Sequence, residues 1–153
     1  MTRLKSDFLY LGLFLLVVLA VGFTIGFVFR PGDWYLALNK PFFTPPGWVF
    51  GPVWTIVYIL IAVAGWRTFV TEGASAPAFR LWLVQMLLNW AWTPVFFGAQ
   101  LILPALVIIL ALLATTVLFM IRSRDRIATA CFAPYALWLT FASSLNLAVA
   151  ILN

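Results

Sequence analysis

The sequence predicts an all-α integral membrane protein, a bundle of five transmembrane helices that forms one domain over residues 1–153. Three observations predict it. Apolar residues make up 65% of the chain and charged residues only 8%. An ordinary soluble domain is roughly a quarter charged, so this chain lacks the polar groups to cover a water-facing surface. Five stretches, at residues 8–29, 48–66, 81–97, 101–121 and 127–152, carry no charge. Each approaches or exceeds the roughly 20 residues that cross a hydrocarbon core as a helix. Despite a net charge of +5, the basic residues are scattered through the short segments between these stretches. That is the habit of membrane loops rather than of a nucleic-acid surface, and no nucleic-acid partner is expected.

The first stretch follows Arg3 and Lys5. Its apolar run is too long for the core of a signal peptide, and no small-x-small cleavage site follows, so it reads as a retained helix. Gly22 and Gly26 give it a Gly-x-x-x-Gly face that permits close helix contact within or between subunits. The segment from residue 30 to 47 is the longest connection. Pro41, Pro45 and Pro46 stiffen it, and its aromatic residues make it too apolar to float in water. It is expected to lie across the helix ends as a lid. No residue from 81 to 121 is charged, so the third and fourth stretches are divided by turn chemistry at Gly98, Gln100 and Pro104. A turn that short makes them an antiparallel pair. Pro94 and Pro134 interrupt backbone bonding within the third and fifth stretches, which predicts kinks or freed carbonyls.

Orientation follows from the bases. Arg3, Lys5, Arg67, Arg80, Arg122, Arg124 and Arg126 fall on one side, and Arg30 and Lys40 on the other. Seven against two puts the N-terminus in the cytoplasm and the C-terminus outside. The cluster at 122–126 reads as an interfacial stop.

Most catalytic chemistry lacks its usual actors. There is no histidine, and Cys131 is the one cysteine, which argues against a zinc site, a Cys–His nucleophile pair or a histidine-ligated haem; no metal site is expected. The stretch interiors also lack Asp, Glu, Lys and Arg, which weakens a transporter reading. What they offer is aromatic. Phe50, Trp54 and Tyr58 recur at i, i+4 and i+8 on one helical stripe. Gln85, Asn89, Trp92, Thr93 and Phe96 form a second stripe, and Tyr135, Trp138, Ala142 and Leu145 a third. Facing inward, these would line an apolar, uncharged pocket with a few orienting polar groups. Trp34, Tyr35, Trp48, Trp66 and Trp82 are accounted for by interfacial belts. Pattern alone leaves packing and binding open for the stripes, and leaves Asn89 open between interhelical bonding and ligand contact.

Longer motifs narrow the choice. Trp34-Tyr35, Asn39-Lys40-Pro41, the run from Pro45 through Thr55 (Pro-Pro-Gly-Trp-Val-Phe-Gly-Pro-Val-Trp-Thr) and Tyr58 resemble the first loop and second helix of the TspO/MBR family. This family comprises the tryptophan-rich sensory proteins of bacteria and the mitochondrial translocator protein. Asn89-Trp90-Ala91-Trp92-Thr93-Pro94 through Ala99 resembles its third helix. Pro134-Tyr135-Ala136-Leu137-Trp138, with Phe141-Ala142 and Leu145-Asn146, resembles its fifth. The resemblance implies a five-helix bundle, commonly a homodimer, in the bacterial cell membrane, with membrane lipid around it and no required cofactor. It implies a receptor or sensor whose pocket, closed by the first loop, takes tetrapyrroles such as protoporphyrin IX and haem, or isoquinoline carboxamide and benzodiazepine drugs. Carried over, the ligand-binding residues are Tyr35, Pro45, Trp54, Asn89, Trp92, Thr93, Trp138 and Ala142, joined by Tyr58 from the stripe above. Porphyrin transport and light-dependent porphyrin breakdown, with Trp54 and Trp138 as its photochemical candidates, stand as alternatives. Without histidine, free-base porphyrin is expected to bind at least as well as haem. Two departures matter. Phe43 stands where the family often has tryptophan before the Pro-Pro pair, and the end of the last stretch lacks the tyrosine and basic residue of the animal cholesterol motif.

Overall fold

Backbone groups in lipid must be satisfied within the chain, and the computed structural model answers that demand with helices. It describes residues 2–153, with side chains from residue 7 onward; the Arg3 and Lys5 side chains, which contribute to the charge bias, lie outside the described residues. The elements are α1 (Thr2–Val28), a short α2 (Asp33–Ala37), a 3₁₀ turn (Gly47–Val49) running into α3 (Phe50–Glu72), then α4 (Pro77–Thr93), a π-helical segment (Pro94–Gly98), α5 (Ile102–Arg122) and α6 (Arg126–Leu152). No strand occurs among the described residues. Four helical segments are long and apolar enough to cross a membrane: Asp7–Val28, Gly47–Glu72, Ile102–Arg122 and Arg126–Leu152.

The third expected stretch differs from its prediction. It starts earlier, because Pro77 sits at the opening of α4, where its missing N–H costs nothing. Its α-helical part ends at Thr93, because Pro94 has no N–H to continue the ladder. Gln100 then turns the chain with φ of 60°, and α4 and α5 pack side by side across this tight connection. At Gly73, φ of 91° ends α3 in a conformation that glycine adopts without strain, and the Gly73 amide donates to the Phe69 and Thr68 carbonyls. Pro134 lies inside an unbroken α6.

Helix neighbours run α1 to α3, α3 to α6, α6 to α5 and α5 to α4, with lighter contacts from α4 to α3 and α1 closing the ring. The ring is shut at the basic end. There Phe14 meets Phe79 and Trp82 edge-on, and Phe79 stacks on Trp82 at 5.7 Å. Trp82 is thus not an interfacial belt residue: it is 6% exposed, and its indole N–H donates to the Ile61 carbonyl at 2.9 Å. The close approach needs Gly65, since a Cβ there would collide with the Trp82 ring. Trp48, at 77% exposure, fits the belt.

The 122–126 cluster also does more than stop a helix. Arg67 Nη2 donates to Asp125 Oδ2 at 2.7 Å, and Asp125 Oδ1 accepts from the Ile127 and Ala128 amides, capping α6. Glu72 holds the same turn through Ser123 Oγ and the Arg124 amide. The hydrogen bond from Arg67, aided by the Ala128 and Ile127 amides, holds the Asp125 carboxyl below its ordinary range against the opposing effect of burial. A lowered folded-state value means stability that is present above the unfolded value, about 3.9, and is lost as pH falls through the folded one. Asp125→Asn keeps a good cap and removes the charge, so it should cost about 1 kcal/mol at neutral pH. Thermal unfolding in detergent should show the gap to wild type closing below the ordinary aspartate pKa.

Candidate functional site

Opposite the basic end the helices part. A cavity of about 600 Å³ opens there beneath the 30–47 segment, within the range of about 300–1,000 Å³ typical of small-molecule sites. All nine residues singled out by sequence lie on its wall: Tyr35, Pro45, Trp54, Tyr58, Asn89, Trp92, Thr93, Trp138 and Ala142.

Each wall follows from a helical stripe. On α3, Phe50, Trp54 and Tyr58 face inward one turn apart. The Trp54 ring lies 5.3 Å from Tyr58 and 6.4 Å, edge-on, from Trp138 of α6. Beside Trp138, small Ala142 leaves the α6 wall open. On α4, Trp92 stacks on Phe96 at 5.0 Å and donates to Asn146 Oδ1 at 3.1 Å; Asn146 in turn donates to the Ile102 carbonyl. This relay ties α4, α6 and the start of α5 together at the cavity rim.

Asn89 is both tie and wall. Its Nδ2 donates to the Tyr135 hydroxyl at 2.8 Å, and that hydroxyl donates to Gln85 Oε1 at 3.2 Å. Its Oδ1 is buried with no partner. Two members of the stripes are therefore corrected: Gln85 and Tyr135, both fully buried, form a polar core beneath the cavity and do not line it. They sit deeper along the same faces, where α5 fills the space.

The 30–47 segment folds over the opening as expected. Trp34 and Tyr35 of α2 pack edge-on against Phe96, and Tyr35 against Phe97 at 5.2 Å, so these two belong to the cap and not to a belt. Burial raises the Tyr35 phenol above its ordinary value, keeping it a neutral hydroxyl. Thr44 Oγ1 donates to the Pro41 carbonyl, fixing the proline-rich turn. At its centre the segment is latched to the end of α6: the Asn39 amide donates to Asn153 Oδ1 at 2.9 Å, and Asn153 Nδ2 donates to the Asn39 carbonyl at 3.0 Å. Replacing Asn153 by alanine removes both bonds, and the Asn39 amide is expected to exchange its hydrogen roughly tenfold faster. Hydrogen exchange read by mass spectrometry over residues 30–47 checks this.

Several wall residues escaped the sequence reading. Gly22, Phe23 and Gly26 of α1 form the fourth side. Gly22 sits against the Tyr58 ring, which a Cβ would meet at 2.5 Å, so this glycine serves contact within the chain, whereas a Cβ at Gly26 would meet open space. Asn146, a second amide within a helix, was a signal available to the same reasoning as Asn89. Lys40 also borders the cavity, so the wall is not wholly uncharged. The lining thus offers flat aromatic faces, two amides, hydroxyls and one ammonium. These groups bind and orient; none forms a nucleophile–base pair.

Comparison with known proteins gives a consistent match. A sequence profile described as the TspO/MBR family matches residues 14–152. The chain is 37% identical to the tryptophan-rich sensory protein of Cereibacter sphaeroides, over 85% of this chain and 83% of that one. It is 37% identical to the tryptophan-rich protein TspO of Archaeoglobus fulgidus, over 91% and 94%. With the human translocator protein it shares 38% identity over 85% and 82%.

Proposed function

The chain belongs to the TspO/MBR family, and from that premise we propose that it is a membrane receptor that binds tetrapyrroles such as protoporphyrin IX in the cavity under the 30–47 segment. The observation that carries the reading is the convergence of Trp54, Trp92 and Trp138, from three different helices, on one cavity of about 600 Å³. Flat faces arranged this way suit a flat, apolar ligand, because aromatic pairs gain both area burial and stacking. Iron ligation has little to draw on: the lining carries phenols and amides but no histidine. Free-base protoporphyrin IX is accordingly expected to bind at least as tightly as haem.

The same proposal includes a fifth span. At about 1.5 Å per residue, the 17 residues of α4 reach about 26 Å, just short of a hydrocarbon core of about 30 Å. The five residues of the π-helical segment continue it. The basic end then faces the cytoplasm and the capped cavity faces outside, in a homodimer as in the family.

The test is a titration of the purified protein in neutral detergent with protoporphyrin IX. Saturable quenching of tryptophan fluorescence at one ligand per chain supports the receptor reading. Linear, non-saturating quenching would leave the cavity as a packing defect without a ligand.

A further inference from the structure

One residue on the cavity wall does not match the rest. The lining is apolar or neutral except at Lys40, the one charged side chain among the described residues that borders it. Lys40 is half-buried under the cap. Its Nζ donates to the Leu36 and Leu38 carbonyls, each at 3.1 Å, and lies 4.8 Å from the centre of the Tyr35 ring. An ammonium carries three donors, so one remains. Among the described residues, no acid forms an ion pair with it. Among the described residues the one ion pair is Arg67–Asp125, at the opposite end of the bundle. Asp33, the acid of the 30–47 segment, is exposed and does not line the cavity. The other base on this side, Arg30, is occupied elsewhere: its Nε donates to the Phe27 carbonyl and its guanidinium stacks on the Phe27 ring.

A lysine at a membrane surface ordinarily extends its ammonium into water. Here the ammonium is held by carbonyls of the cap itself, at the cavity edge. Its two carbonyl contacts account for its holding the end of α2. They leave its positive charge and one N–H donor at the cavity edge. We infer that Lys40 is a carboxylate anchor, and that the cleft selects amphipathic flat acids: a broad apolar body held by the tryptophans and a carboxylate at the cap end beside Lys40. The inference rests on the receptor reading above and deepens it. It adds an orientation, with the acid edge toward the cap and the uncharged edge toward Asn89, and it makes a charged ligand preferable to its neutral ester.

Two ligands and three proteins separate these ideas. Protoporphyrin IX and its dimethyl ester share one ring and differ in charge. Each is titrated, in neutral detergent, against wild type, Lys40→Met and Lys40→Arg. Lys40→Met should weaken protoporphyrin IX about tenfold and move the dimethyl ester by no more than about twofold, the signature of a charge-assisted hydrogen bond at a half-exposed site. Lys40→Arg should restore most of the affinity for the acid. Equal loss of both ligands in Lys40→Met would make the lysine a structural tie of the cap and overturn the anchor. So would unchanged binding of the acid, or a wild type that binds ester as tightly as acid. A wild type that binds neither ligand overturns the receptor reading itself, and the anchor with it.

Discussion

Alanine at both Trp54 and Trp138 is expected to weaken protoporphyrin IX by at least about thirtyfold, taking the low end of about 1–3 kcal/mol per stacked ring. Both indoles are half-buried and line the cavity, so both present a face to whatever fills it. Their own contact, edge-on at 6.4 Å, couples them, so the two single losses should not simply add. Affinity must be read from the porphyrin absorbance, since the substitutions remove part of the fluorescence signal. Phenylalanine at both positions keeps a flat face and should retain an intermediate affinity. The fold should persist, because neither ring belongs to the fully buried set that includes Phe119, Phe132 and Tyr135; helix content by circular dichroism checks that. Wild-type affinity in the double alanine mutant would remove the ligand from this cavity.

The same two residues show what the sequence made legible. A stripe at i, i+4 and i+8 fixes direction on a helix, so Phe50, Trp54 and Tyr58 could be assigned one face before any coordinates were known. Depth and partner are harder. Tyr135 and Trp138 share a stripe, yet one joins a polar core with Asn89 and Gln85 while the other borders the cavity. The difference lies in what packs opposite, which no single helix encodes. Trp82 was misread for a related reason. The belt rule uses distance from a helix end, whereas the side chain answered to Gly65 on another helix. The α1 wall was invisible because lipid and protein interior select similar apolar residues, so Phe23 gives no sign of which it faces. Lys40 was counted as a topological charge, since a loop residue's reach into a cavity depends on how the loop folds.

Gly65 carries the second large effect. A Cβ at this position would fall against three atoms of the Trp82 indole. That ring is rigid and hemmed in by Phe14 and Phe79, so it cannot absorb the intrusion by a rotamer change. Gly65→Ala should therefore destabilise the bundle by about 3 kcal/mol, from overpacking together with loss of the indole bond to the Ile61 carbonyl. This runs against helix propensity, by which alanine would stabilise an α3 interior by up to about 1 kcal/mol, so the sign of the result is itself diagnostic. Trp82→Ala should cost a similar or larger amount, about 3–5 kcal/mol, through the cavity it leaves. The two losses should not add. With the indole gone, the Gly65 methyl meets open space and fills part of it, and the double mutant should be about as stable as Trp82→Ala alone or better. Thermal unfolding of the four proteins in one detergent measures the cycle. Additive losses would mean that the Gly65–Trp82 contact does not hold α3 to α4, and that the basic end of the bundle is closed by something else.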